Sequence, residues 1–196
     1  MSHKPMTSDR DTTGVQPVAP ATVTRFWFNE LSPRDWFRKS ATLDRRIAER
    51  FGATLAAAAA GQTAHWRDRP AGRLAEILVL DQFSRNIHRD SPRTFENDAA
   101  ALELARAALA AGADRRLTCQ RRAFLYMPYM HSETLADHDT ALELYKTLGL
   151  KSHLDAERKH YAMIERFGRY PHRNAVLKRR STDEENAFLA EPDSSF

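Results

Sequence analysis

The feature that most restricts this chain is a helical period interrupted again and again by glycine and proline. Leu43, Ile47, Phe51 and Leu55 recur every four residues, the spacing that lines one face of an α-helix. Thr42 precedes them as a candidate N-cap. Upstream, Ser32-Pro33 reads as an N-cap followed by proline at the first helical position, opening a short helix through Trp36 and Phe37. Breaks are expected at Gly61, and at Pro70 with Gly72. Leu74 to Phe83 is apolar almost throughout and reads as a central buried helix, because no turn residues bound it as a short strand. After Ser91-Pro92, Asn97 to Ala111 forms a helix that stops at Gly112. Gln120 to Met130 contains Pro128, which is expected to end or kink its helix just before His131. Asp139 to Leu148 stops at Gly149, and Asp155 to Phe167 stops at Gly168. Thr182 and Glu185 have capping-box spacing and open a last short helix. No segment carries a convincing strand or hairpin signal. The expectation is an all-α chain of eight or nine helices, joined by short loops into antiparallel pairs.

Residues 1–21 are rich in Ser, Thr, Pro, Asp and Lys without hydrophobic period, and read as a disordered leader. Residues 22–196 read as one helical domain, beginning with the aromatic group Phe26-Trp27-Phe28. Cys119 is the single cysteine, so an internal disulfide and a cysteine-based zinc site are ruled out. The longest apolar run, Leu55 to Gly61, is far too short to span a bilayer, and the N-terminus lacks the apolar core of a secretory signal. A cytoplasmic location without membrane contact is therefore expected. Charge is uneven. Lys151 to Arg180 holds nine Lys/Arg against three acids, whereas Ser181 to Phe196 holds five acids and no base.

Polar chemistry concentrates after the apolar runs. Asp81, Arg85, Asn86, His88 and Arg89 follow the central helix. Tyr126, His131, Ser132 and Glu133 follow the Pro128 helix, with Asp137 and His138 just beyond. His160 lies in the next long helix. Glu165 to Asn174 brings Arg166, Arg169, His172, Arg173 and Asn174 around Gly168 and Pro171. The 81–89 and 165–173 stretches share one template: acid, any residue, Phe, a small residue, Arg, two residues, His-Arg. Their separation is not a multiple of the ~34-residue helical repeat, so the echo does not establish a duplicated domain.

Arginine presents a planar fork of donors that matches carboxylate or phosphate. One reading is thus a pocket for a small anionic ligand, formed by Asp81, Arg85, Asn86, His131, Glu133, Arg169, His172, Arg173 and Asn174. If it is enzymatic, His131, Glu133 and His172 are the candidate acid/base groups. A second reading is an internal salt-bridge network in which Asp81, Glu133, Asp137 and Glu165 pair with Arg85, Arg169 and Arg173. A third is a helical scaffold that offers a groove to a peptide or protein, the polar cluster serving only as structure. A metal held by His131, His160 and His172, with Glu133 or Asp81, is a weak alternative, since no pair of histidines has the spacing that places two ligands on one helical face. Lys178-Arg179-Arg180 is too short a basic run to argue for nucleic acid and reads as a solvated helix end. There is no P-loop, Gly-x-Gly-x-x-Gly or EF-hand, and no Gly-x-Ser-x-Gly elbow. No cofactor is expected.

Four ordered motifs point further. They are Phe26-Trp27-Phe28 with Trp36-Phe37; Leu80-Asp81-Gln82-Phe83-Ser84-Arg85-Asn86; Tyr126-Met127-Pro128-Tyr129-Met130-His131-Ser132-Glu133; and Arg166-Phe167-Gly168-Arg169-Tyr170-Pro171-His172-Arg173-Asn174, followed by Ser181-Thr182-Asp183-Glu184-Glu185. From about residue 23 to Phe196 the chain resembles the bacterial domain-of-unknown-function 924 family. The resemblance implies a tetratricopeptide-like helical array and no particular activity. The chain departs from the family pattern at Ser84, where proline is usual, and at Asp90 and Lys178, where glycine is usual. Each swap replaces a backbone-restricting or permissive residue with an ordinary one.

Overall fold

The computed structural model describes residues 16–191, and every regular element among them is helical. The α-helices are α1 (Pro20–Arg25), α2 (Pro33–Phe37), α3 (Ala41–Ala59), α4 (Pro70–Leu78), α5 (Ser84–Ile87), α6 (Asp98–Ala110), α7 (Cys119–Met130), α8 (Leu135–Leu148), α9 (Lys151–Phe167) and α10 (Asp183–Leu189). A π turn, Val79–Phe83, fuses α4 and α5 into one rod, and another, Phe26–Glu30, extends α1.

The α4–π–α5 rod is the axis of the fold. Leu74, Ala75, Ile77, Leu78 and Val79 have no exposed surface. The rod is met by α1, α3, α6 and α7, which explains why its sequence is apolar all round and not merely along one stripe. Phe26 and Phe51 pack on each other and on Phe83, with ring centroids 4.7 to 5.9 Å apart. Trp27 packs edge-on to Phe124 of α7. The aromatic triplet thereby ties the N-terminal helix to the centre of the core. Farther along, α8 packs against both α7 and α9 through short connections, as antiparallel hairpins require. A second small core joins Met163, Ile164 and Tyr170 with Phe167 and Phe188.

Local signals account for most boundaries. Ser32 and Asp35 form a capping box at α2, as do Thr182 and Glu185 at α10. Gly112, Gly149 and Gly168 follow their helices with positive φ. The long α3 differs from expectation: Ser40, not Thr42, accepts from the Leu43 N–H. Gly72 does not break the chain; it sits in the first turn of α4, where an added Cβ would stand 2.0 Å from the Trp66 carbonyl oxygen. Pro128 lies within α7, which runs on to Met130. Helices α8 and α9 each start four residues earlier than periodicity indicates. Residues 1–15 of the expected leader fall outside the described residues. Residues 16–21 are placed: the Val18 N–H donates to Thr54 Oγ1 at 3.0 Å, and Pro20 starts α1.

Candidate functional site

Two turns of the central rod, two further helix ends and one loop converge. The π turn delivers Asp81, α5 delivers Arg85, the first turn of α6 delivers Asp98, the end of α7 delivers His131, and the loop after α9 delivers Tyr170, His172 and Arg173. The π turn is functional in the geometric sense: widening the helix by one residue aims Asp81 inward, and the carboxylate is 99% buried.

Asp81 Oδ1 lies 2.6 Å from His131 Nδ1 and 3.3 Å from Arg85 Nη2, while Gln82 Nε2 donates to Oδ2 at 2.6 Å. Burial pushes Asp81 up, but His131 and Arg85 outweigh it and hold the carboxyl well below the usual range. Burial and the Arg85 charge push His131 down against the pull of Asp81. At neutral pH the carboxylate is therefore ionised and the imidazole neutral. Nδ1 carries the proton and donates it to Asp81, leaving the lone pair on Nε2. His131 Nε2 meets no hydrogen-bond partner among the described residues, and the side chain retains 15% exposure.

Two guanidiniums join the same cluster. Arg85 Nη2 donates to Asp98 Oδ1 at 2.9 Å, and Arg173 Nη1 reaches Asp98 Oδ2 at 3.4 Å. Arg173 Nη2 also donates to the His131 carbonyl at 3.0 Å. The half-buried Phe95 ring lies under both arginines, 4.6 Å from the Arg173 carbon and 5.5 Å from that of Arg85. Burial and the neighbouring Arg85 charge bring Arg173 down to about 10, so it stays protonated at neutral pH. The Nε atoms of both arginines are buried without a hydrogen-bond partner among the described residues.

Behind this cluster runs a dry polar chain. His138 Nδ1 lies 2.7 Å from Glu157 Oε1, both side chains fully buried, and His138 Nε2 lies 2.8 Å from the Ser132 carbonyl. Tyr170 Oη donates to the Met130 carbonyl and lies 2.8 Å from His160 Nδ1. Burial, reinforced by His131 and His138, pushes His160 down to about 2. Burial and Arg173 hold His172 down at about 4.

The remaining residues expected at the site are tied up as brackets. Glu133 forms a two-pronged pair with Arg179 at 2.6 and 2.9 Å and accepts from the Tyr170 N–H at 2.9 Å. Arg169 grips Glu185 in the same way at 2.6 and 2.8 Å, and Asn174 donates to Glu185 at 3.2 Å. Asn86 and Arg89 both turn to Asp44 of α3. Asp137 binds Ser132 and Arg106, and Arg166 binds Glu184. Of the expected set, the structure thus brings together Asp81, Arg85, His131, His172 and Arg173. It assigns Glu133, Arg169 and Asn174 to an adjoining network, and Asn86 to α3. The histidine trio 131, 160 and 172 does not form a metal site: two of the Nδ1 atoms already face Asp81 and Tyr170, and no group of three or more metal-ligating side chains stands together among the described residues.

Sequence reasoning missed Asp98, Phe95 and Arg179. Asp98 looks like an ordinary acid in the first turn of a helix, and Phe95 like one more core aromatic. Arg179 looks in sequence like part of a solvated helix end, yet it holds Glu133 and the Tyr170 carbonyl. The basic run carried no signal that separated it from its neighbours.

A solved structure of a protein of unknown function, ATU0120 from Agrobacterium tumefaciens, is similar to this chain at 35% identity, with a TM-score of 0.84 over 88% of this chain and 97% of that one. No curated protein matches. The profile of a family described as bacterial protein of unknown function matches residues 23–193. Spanning every element that builds the cluster, that match shows that the chain belongs to the domain-of-unknown-function 924 family.

Proposed function

We propose that the Asp81–His131 pair and the flanking Arg85 and Arg173 form a binding site for a small anionic ligand, a carboxylate or phosphate, with His131 as the proton acceptor. The single observation that carries this reading is the orientation of His131. A buried carboxylate holds its proton on Nδ1 and leaves Nε2 without a protein hydrogen-bond partner, in a residue whose carboxylate partner also takes Arg85 and whose carbonyl accepts from Arg173. Carboxylate-oriented imidazole is how a histidine is kept in one tautomer for general-base work. The two Nε donors without partners support the same reading, because buried unsatisfied donors call for an acceptor. Native mass spectrometry of the freshly isolated chain is expected to show a small-molecule adduct that Arg173→Gln lacks. In parallel, acetate or phosphate is expected to shift the His131 ring proton signals of the wild-type chain in NMR titrations. Absence of both effects in the wild type overturns the reading, independently of whether the variant folds.

A second reading applies to the adjoining brackets. The reciprocal pairs Glu133–Arg179 and Arg169–Glu185 support a purely structural role there, joining the α9 exit to α7 and α10. Glu133→Ala is then expected to lower the melting temperature without altering the response of His131 to acetate. A changed response with unchanged stability counts against it.

A further inference from the structure

Asp98 complicates a simple anion site. It is the one carboxylate that both guanidiniums share, at 2.9 Å from Arg85 and 3.4 Å from Arg173. The Arg173 contact is long for a charge-assisted hydrogen bond, which closes to about 2.7–2.9 Å when well made. Asp98 is also the most exposed acid of the inner cluster, at 19% against 1% for Asp81. The inner charges cancel: Arg85 and Arg173 against Asp81 and Asp98, with His131 and His172 neutral. A bare anion entering here would meet the guanidiniums but also stand against Asp98, and would leave one negative charge uncompensated in a largely buried site.

We infer that the ligand is a small zwitterion, a carboxylate that carries a nearby ammonium group, as an amino acid does. This inference rests on the site proposed above and deepens it. The ligand carboxylate pairs with Arg85 and Arg173, and the ammonium pairs with Asp98. Both charges of the ligand find partners, and the site stays neutral. Asp98 is then the specificity-determining residue: in the free protein it shares the two arginines, and with ligand bound it turns one lone-pair edge to the ammonium. Its place at the start of α6 suits this, since the helix fixes its Cα while its side chain keeps part of its surface exposed.

Matched probes test the inference on the full chain. Acetate is compared with glycine and succinate with aspartate, following the His131 ring signals by NMR. Within each pair the amine-bearing member is expected to bind about tenfold more tightly, the effect of one added charge-assisted contact. Asp98→Asn is expected to reverse the order, weakening glycine and aspartate and strengthening acetate and succinate. If the plain acids bind the wild type as well as or better than their amine-bearing partners, the zwitterion inference fails while the anion site survives. Should none of the four probes perturb His131, the site proposal fails and takes the inference with it. The wild-type comparison needs no variant, so a folding defect in Asp98→Asn leaves the test intact.

Discussion

Asp81 and His131 are 50 residues apart in the chain and 2.6 Å apart in space, joined where the π turn of the central rod faces the end of α7. Arg85 depends on the same carboxylate. Removing the charge therefore weakens the hold on two buried partners. Asp81→Asn is expected to cost about 3 kcal/mol, at the low end for breaking a buried charge pair because Asp98 remains on Arg85. Urea unfolding measures it. A loss below about 1 kcal/mol would mean that the cluster is wetter and weaker than its burial implies.

Three histidines make stability depend on pH with a defined sign. His172 is held at about 4 and His160 at about 2, and His131 is also lowered. In the unfolded chain each takes up a proton near 6.5. Between about pH 6.5 and 4 the unfolded state thus binds more protons, so stability is full above pH 6.5 and falls as the pH drops. Each histidine contributes at most about 1.4 kcal/mol per pH unit in that window. The depressed carboxyls of Asp81 and Glu133 act in the same direction at lower pH. Melting temperatures from pH 7 to pH 4 are expected to fall steeply, with a shallower slope in His160→Gln. A flat profile would contradict the assigned protonation states.

Lys178 and Asp90 adopt left-handed backbone, with φ of 56° and 60°. These are the two positions at which the family resemblance leads one to expect glycine. Each holds a side chain in a backbone region that favours glycine, which places strain on the Cβ. Lys178→Gly is expected to stabilise the fold by about 1 kcal/mol, read from the denaturation midpoint. Asp90→Gly gains less, since aspartate tolerates this region better than lysine. No gain at Lys178 would show that glycine's extra freedom in the unfolded chain cancels the relief.

Gly72 has the opposite constraint. A methyl group there meets the backbone carbonyl of Trp66 at 2.0 Å, and backbone cannot swing aside as a side chain can. Gly72→Ala is expected to destabilise by about 1–3 kcal/mol through overpacking, and to shift Trp66 fluorescence as that buried ring moves. An unaltered midpoint and spectrum would show that the turn before α4 yields freely.

The secondary structure was largely legible because its signals are local. Capping boxes at Ser32 and Thr182, glycine stops at Gly149 and Gly168, and the apolar run of Leu74 to Phe83 each act within a few residues. What periodicity misplaced were starts without a strong cap. Helices α8 and α9 open at Leu135 and Lys151 without a side-chain cap hydrogen bond, so sequence alone had nothing to mark them.

The candidate site divides on the same physical line. The placing of His131, His172 and Arg173 at or just past helix ends could be read from the chain, because the apolar runs stop before them, whereas Asp81 sits inside a rod that runs on through it to Ile87. Which charges meet is a matter of packing. Arg179 rather than Arg169 holds Glu133, Asp44 draws Asn86 away to α3, and Asp98 arrives from α6 to bridge two arginines. Helix formation is governed by neighbours three and four residues apart, which a sequence displays. Ion pairing is governed by distance in space, and there every arginine and every carboxylate in the chain is a candidate until packing brings two of them within reach.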